Sequence, residues 1–99
     1  MNIDFLKDGT TLTVKPVGRL DTATSPELER RMQPEMQGMT NIIMDLEKVD
    51  YISSGGLRVL LAVEQEMEET DGSMKVIHVN PHIMEIFEIT GFLDLLTIE

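Results

Sequence analysis

Residues 45–61 of the chain read Asp-Leu-Glu-Lys-Val-Asp-Tyr-Ile-Ser-Ser-Gly-Gly-Leu-Arg-Val-Leu-Leu. The apolar run Ile42–Leu46 overlaps the start of this stretch and is typical of a central strand. The serines and glycines at Ser53–Gly56, here called the serine–glycine segment, predict a turn. Apolar residues after it recur at helical spacing and predict a helix that Asp71-Gly72 ends. The stretch therefore predicts a strand, a turn and a helix.

Upstream, two short β-like runs predict a hairpin. Ile3–Lys7 and Thr11–Lys15 are separated by Asp8-Gly9, a common hairpin turn pair. Apolar and polar residues alternate in the second run, as in a strand with one buried face. Because proline cannot donate to a sheet ladder, Pro16 predicts that this strand ends there, at an edge or a bulge.

A helix between the hairpin and the central strand is predicted from Thr24-Ser25-Pro26-Glu27. Hydroxyl residues cap free amides, proline suits the first turn, and glutamate favours the positive end of the helix dipole. An apolar stripe follows at every fourth residue, and Gly38 ends the helix. Pro34 lies inside this stretch, so we expect it to shorten or kink the helix.

The last third of the chain predicts a strand, a helix and a final strand. Met74–Val79 is a strong strand candidate, and Asn80-Pro81 begins a helix that Gly91 ends. Leu95–Ile98 is then predicted to be the final short strand. The resulting order is β-β-α-β-α-β-α-β. Since strands joined through helices run parallel, we expect an α/β fold with a mixed sheet of about five strands and helices packed on it, in one domain over residues 1–99.

Composition limits the classes of function. The chain of 99 residues has 8 Lys plus Arg against 18 Asp plus Glu, a formal charge of −10. This balance argues against binding nucleic acid or an anionic membrane surface, and an acidic surface favours solubility and a basic partner. With no cysteine, no basic and apolar leader at Met1 and no run of about 18 apolar residues, the chain is expected to be cytoplasmic.

No catalytic, metal or cofactor motif is recognisable. His78 and His82 do not lie at ligand spacing from one another, so a structural role is expected for both. Ser54 precedes a helix, as a hydrolase nucleophile does, but the Gly-x-Ser-x-Gly pattern is absent, as is a phosphate-binding Gly-Lys-Ser/Thr loop. We therefore predict a binding protein and not an enzyme, with a serine hydrolase as a minor alternative.

The serine–glycine segment has a structural and a functional interpretation. Serines at a helix start are commonly N-caps that accept hydrogen bonds from free amides, and glycines permit a tight turn. The same helix start also tolerates an anion, so a phosphate on either hydroxyl could be carried without unfolding the domain. Such a group would block or create a protein contact.

Three segments together resemble the STAS domain family, in particular the stand-alone bacterial anti-sigma-factor antagonists. The first is the stretch from Asp45 to Leu61, and the second is Gly18-Arg19-Leu20-Asp21-Thr22 with Thr24, similar to the family's Gly-x-Leu-Asp segment. The third runs from Pro81-His82-Ile83 to Thr90-Gly91-Phe92 and resembles the last helix and closing turn. The resemblance covers essentially the whole chain.

The resemblance implies a partner-switching regulator. The unmodified antagonist of this family binds an anti-sigma factor that is also a Ser/Thr kinase, which frees a sigma factor or another target. The kinase phosphorylates a serine and ends the complex, and a cognate phosphatase restores it. The resemblance thus implies protein partners and no cofactor, and we expect a monomer.

The phosphorylation site departs from the usual family motif, Asp-Ser-Ser-Gly-Leu, whose second serine carries the phosphate. Aligned on Gly56-Leu57, that position is Gly55 here, and a hydroxyl is retained one residue earlier. A variant motif, Ser-Ser-Ala-Gly-Leu, is also similar. The resemblance therefore implies phosphorylation of Ser54, with Ser53 as the second candidate. It implies partner contacts by these residues: Asp21, Thr22, Ser53, Ser54, Gly55, Gly56, Leu57 and Arg58.

Four further alternatives remain open from the sequence. The first is a constitutive binder in which no serine is phosphorylated. The second is a small-molecule or lipid sensing module of the same fold without a phosphorylation switch, which a deep apolar pocket beneath the first helix would favour. The third is that Asp21 is a turn residue that hydrogen-bonds its own backbone, and the fourth is that Arg58 is a solvated side chain without a partner contact.

Overall fold

The computed structural model describes all residues, Met1–Glu99, as five strands and three α-helices. The elements are β1 (Asn2–Asp8), β2 (Thr11–Leu20), α1 (Ser25–Met36), β3 (Asn41–Asp45), β4 (Val49–Ile52), α2 (Ser54–Glu69), β5 (Ser73–Ile77), α3 (Pro81–Thr90) and a 3-10 helix over Phe92–Asp94. None of these helices has both the length and the apolar character needed to cross a lipid bilayer.

Strand β2 is the centre of a mixed five-stranded sheet. It pairs with β1 in the predicted antiparallel hairpin, in which Asp8 lies opposite Thr11. It also pairs in parallel with β3, and β5 extends the sheet in parallel on the far side of β3. Beyond Gly18, β2 pairs in parallel with β4. The α/β class and the mixed sheet of five strands are therefore as the sequence predicts.

Strand β2 does not end at Pro16 as the sequence predicts, but continues to Leu20. Residues Thr11–Val14 pair with β3, and the pairing with β4 begins only at Gly18. Pro16 lies in the gap between these two ladders, opposite Ile3 of β1. Because no strand occupies that side of β2 at Pro16, a residue without an N–H is tolerated inside the strand.

The fifth strand is also not the predicted one. It is β4, a segment of four residues that the sequence pattern leaves unassigned. The predicted final strand, Leu95–Ile98, is reduced to a single parallel bridge between Ile98 and Val76. The reason is the turn after Gly91, because the N–H groups of Leu95 and Leu96 donate to the carbonyl oxygen of Phe92 at 3.1 and 3.0 Å and not to a strand.

The core lies between one face of the sheet and the helices. Alternate residues of β2, such as Leu12 and Val14, are fully buried, whereas Thr11 and Thr13 on the opposite face are partly exposed. The helices contribute to the same apolar cluster through their inward residues: Leu28, Met32 and Met36 of α1; Leu57, Val59, Leu60, Val63 and Met67 of α2; Ile83 and Phe87 of α3. Pro34 does not shorten α1, which runs on to Met36.

Candidate functional site at the start of helix α2

Two parallel strands end side by side and bring the predicted site residues together. Leu20 at the end of β2 pairs with Ile52 at the end of β4. The chain then enters the turn Asp21–Thr24 from β2 and the helix α2 from β4. The N–H of Ser53 donates to the carbonyl oxygen of Leu20 at 2.8 Å, which ties the two exits together. The serine–glycine segment therefore lies next to the Asp21–Thr24 turn.

Both glycines lie in the first turn of α2, and not in a separate turn before the helix as the sequence predicts. A Cβ atom on Gly56 would lie 2.7 Å from Cγ1 of Ile52 and 2.9 Å from the carbonyl oxygen of Leu20. A Cβ atom on Gly55 would lie 3.3 Å from Cα of Thr22. Neither glycine has a positive φ, so the backbone conformation does not require glycine here. What requires it is the close approach of the helix to the strand ends and to the neighbouring turn.

The two serines differ in their exposure. Ser53 is the N-cap residue by position, because its backbone is extended and its carbonyl oxygen accepts from the N–H of Leu57 at 3.0 Å. Its hydroxyl makes no capping bond, and the Oγ atom is buried without a hydrogen-bond partner. The side-chain cap that the sequence predicts is therefore missing. Ser54, the first residue of α2, is exposed.

Asp21 shapes the neighbouring turn. Its Oδ1 atom accepts from the N–H groups of Ala23 at 2.9 Å and Thr24 at 3.0 Å. These bonds, first that of Thr24 and then that of Ala23, lower the pKa of Asp21 below its ordinary value. The Thr24 hydroxyl donates to the carbonyl oxygen of Arg19 at 2.6 Å. The interpretation of Asp21 as a turn residue that bonds its own backbone is therefore confirmed, and a contact with a partner remains a prediction.

Two residues that the sequence does not single out, an arginine and a tyrosine, border the site. Arg19 of β2 lies opposite Tyr51 of β4, and its guanidinium carbon is 4.2 Å from the centre of the tyrosine ring. The Nε atom of Arg19 is also 3.6 Å from Oδ2 of Asp21. Both residues stand in the quoted motifs, but their contact depends on the parallel pairing of β2 with β4, which the sequence did not predict.

The remaining predicted contact residues divide into a buried and an exposed group. Leu57 is only 5% exposed and belongs to the core, so it supports the helix and does not form part of the accessible surface. Gly55 and Gly56 are likewise buried. Thr22 and Arg58 are exposed, together with Ser54. Of the predicted contact residues in this group and Ser54, only Thr22, Ser54 and Arg58 are therefore exposed to a partner.

The histidines make no hydrogen bond to the serines. Nδ1 of His78 is 2.9 Å from Oδ1 of Asp45, while His82 is exposed in the first turn of α3. Burial alone would raise the pKa of Asp45, but the hydrogen bonds from His78 and from the N–H of Glu47 lower it overall. His78 therefore pairs with Asp45. No group of three or more His, Asp and Glu side chains is placed to hold a metal ion.

The largest cleft, of about 480 Å³, lies between the C-terminal ends of α1 and α2. Three of its nine lining residues are apolar, namely Met36, Met39 and Met67, and the others include Glu66 and Thr70. Because most of its lining is polar or glycine, it is not the deep apolar pocket that would favour a lipid or small-molecule sensor.

Comparison with known proteins gives the family. The model of the STAS domain family matches residues 2–99. The BtrV protein of Bordetella bronchiseptica is 35% identical over 79 residues, 79% of this chain and 68% of that protein. The anti-sigma-B factor antagonist of Staphylococcus aureus is 34% identical over 97 residues, 97% of this chain and 90% of that protein. The structure of Bacillus SpoIIAA in its phosphorylated form has the same fold, with a TM-score of 0.76 at 17% identity over 99% of this chain and 91% of that one. The chain belongs to the STAS domain family.

Proposed function

We propose that this chain is an anti-sigma factor antagonist that binds an anti-sigma-factor Ser/Thr kinase and is released when Ser54 is phosphorylated. The observation that carries this proposal is the exposure of Ser54 at the start of α2, beside the Asp21–Thr24 turn. The proposal is supported by the Staphylococcus aureus anti-sigma-B factor antagonist, which matches 97% of this chain. A fold relative that has a phosphorylated form, SpoIIAA, supports the modification.

Accessibility favours Ser54 over Ser53 as the phosphorylated residue. In the proposed step, Oγ of Ser54 bonds to the γ-phosphorus of ATP while the bond to the β-phosphate oxygen breaks. ADP leaves, and the hydroxyl proton passes to a base of the kinase. A kinase must reach the attacking oxygen, and Oγ of Ser53 is buried. Phosphorylation of Ser53 would therefore require the start of α2 to move, whereas Ser54 needs no such movement.

The partner surface follows from the same geometry. Thr22 and Arg58 are exposed next to Ser54, and Arg19 and Tyr51 lie on the adjoining strand ends. A phosphate would add about −1.5 to −2 charge at this surface. A kinase that binds the unmodified surface closely would then have to desolvate that charge, which explains release. A phosphatase that removes the phosphate would restore binding.

The proposal is tested by phosphorylation in vitro. The kinase is first recovered on a column of the unmodified protein and then incubated with ATP and the protein, and modified residues are mapped by mass spectrometry. We expect labelling of the parent and of Ser53→Ala, but not of Ser54→Ala. Labelling that is lost in Ser53→Ala instead would assign the modification to Ser53. Absence of labelling in the parent would refute the phosphorylation switch.

Binding is measured separately with the same kinase. The parent should be retained by the immobilised kinase, and the phosphorylated protein should be retained at least tenfold less. Ser53→Ala is the matched control, since it removes a neighbouring hydroxyl that is buried in the free protein. Equal retention of both forms would indicate a constitutive binder.

A further inference from the structure

Arg58 lies four residues after Ser54 on helix α2, and both residues are exposed. Side chains separated by four residues are neighbours on one face of a helix, with Cβ atoms about 6 Å apart. Of the three residues between them, Gly55 and Gly56 have no side chain, and Leu57 is buried in the core, so no exposed side chain separates the two. The extended arginine side chain can therefore reach the position of the Ser54 hydroxyl.

Arg58 has no acidic partner, although acidic residues outnumber basic ones by 18 to 8. Five of the eight Lys and Arg side chains lie within 4.0 Å of a carboxylate: Lys7, Lys15, Arg19, Arg31 and Lys75. Arg58 is one of the three that do not. Its neighbours at three and four residues along α2 are Ser54, Gly55, Leu61 and Ala62. Ser54 is thus the one residue among these neighbours that can acquire a negative charge, and only by modification.

We propose that Arg58 is the counter-charge that holds a phosphate on Ser54, an inference that rests on the proposed phosphorylation of that serine. A guanidinium group donates two parallel hydrogen bonds to phosphate oxygens, which makes arginine better suited than lysine to this contact. The first turn of α2 contains no acidic side chain that would compete for the guanidinium.

One phosphorylation then changes the partner surface in two ways. In the unmodified protein Arg58 is exposed and free to contact an acidic group of the partner. In the phosphorylated protein the new anion is added, and the arginine is withdrawn into an intramolecular pair. The surface beside Ser54 thereby changes from cationic to anionic. Because the pair is exposed, its strength decreases as the salt concentration rises.

The test does not depend on a kinase. Phosphoserine is incorporated at position 54 during translation, and its second ionisation is followed by 31P NMR in the parent, in Arg58→Gln and in Arg58→Lys. We expect the pKa of the phosphate to be lower by about 0.4 unit in the parent than in Arg58→Gln, since a nearby cation favours the dianion. Arg58→Lys should lie between them.

Arg30→Gln is the matched control, because Arg30 is also exposed and also lacks a carboxylate within 4.0 Å, but lies on α1. It should leave the phosphate pKa at the parent value. A parent and an Arg58→Gln variant with the same phosphate pKa overturn the role of Arg58, even if Ser54 is a genuine kinase substrate. Conversely, a kinase that fails to label Ser54 refutes the proposed function, while the NMR titration still decides whether Arg58 pairs with a phosphate at this position.

Discussion

Helices α2 and α3 both start after parallel strands of the sheet, but their first turns are held in different ways. At α3, Oδ1 of Asn80 accepts from the N–H of Ile83 at 2.8 Å, and its Nδ2 donates to the carbonyl oxygen of Val49 at 3.0 Å. At α2, the corresponding residue, Ser53, makes no side-chain cap. The start of α2 is held by backbone packing, because Gly56 lies directly against the strand ends.

This difference shows how a modifiable hydroxyl can be presented without weakening the domain. The oxygen of a serine that caps a helix is held by backbone N–H groups, and freeing it costs about 1 kcal/mol. Ser54 does not cap the helix, since the helix start depends on glycine contacts and on the carbonyl oxygen of Ser53. Structural support and the proposed modification therefore fall on different residues of one segment.

The largest effect is expected from filling the contact beneath α2. In Gly56→Ala, the new Cβ atom would meet Cγ1 of Ile52 at 2.7 Å and the backbone oxygen of Leu20 at 2.9 Å. Since that backbone oxygen cannot move cheaply, we expect the free energy of unfolding to fall by about 2–3 kcal/mol. Urea denaturation measures this loss.

Gly55→Ala is the control for this substitution, since its Cβ atom would approach no atom closer than 3.3 Å. Alanine also favours the helix by about 0.5–1 kcal/mol over glycine, so a net change within about 1 kcal/mol is expected. If both variants lose the same stability, the start of α2 is not held by the packing of Gly56.

The next effect concerns the two caps. Asn80→Ala removes the acceptor for the N–H of Ile83 and the donor to Val49, and should cost about 1–2 kcal/mol. Ser53→Ala removes a buried hydroxyl that has no partner, so its effect should stay within about 0.5 kcal/mol. Thermal unfolding measures the loss of stability in both variants. An equal loss of stability in Ser53→Ala and Asn80→Ala would show that Ser53 caps α2 in solution.

The smallest effect is expected in the C-terminal half of α2, at Glu64. Burial, and then the neighbouring carboxyl of Glu68, raise the pKa of Glu64 above its ordinary value. Ionised Glu64 therefore lowers stability at neutral pH, and this penalty disappears as the pH falls below the ordinary pKa. We expect Glu64→Gln to stabilise the protein by about 0.3–0.5 kcal/mol at pH 7, and less at pH 4.

Glu29→Gln on α1 is the control for this variant, because Glu29 is exposed. Urea unfolding at both pH values should give no pH-dependent gain for Glu29→Gln. A gain of Glu64→Gln that is the same at pH 4 and pH 7 would contradict the raised pKa.

Elements with strong local signals could be predicted from the sequence. Asn80-Pro81 and Gly91 bound α3 as expected, because capping and the left-handed C-cap depend on residues near in sequence. Strand β4 was missed, since its four residues are too short to show a period. The predicted strand Leu95–Ile98 failed because the pattern cannot show that a 3-10 helix precedes it.

In the candidate site, too, only the features that depend on residues near in sequence could be predicted. Ser54 could be singled out because its residue type and its place before a helix are local features. The burial of the Ser53 hydroxyl and the stacking of Arg19 on Tyr51 depend on which strands are neighbours. That pairing joins residues about thirty positions apart, and the alternation of apolar residues carries no information about it.

Strand β2 is hydrogen bonded to three other strands along its length. Its amide protons can exchange with water only when most of the sheet opens, so it belongs to the slowest-exchanging unit of the protein. Ser54, by contrast, is exposed as the first residue of α2, outside the sheet. The proposed phosphorylation of Ser54 would therefore leave this slow-exchanging sheet folded.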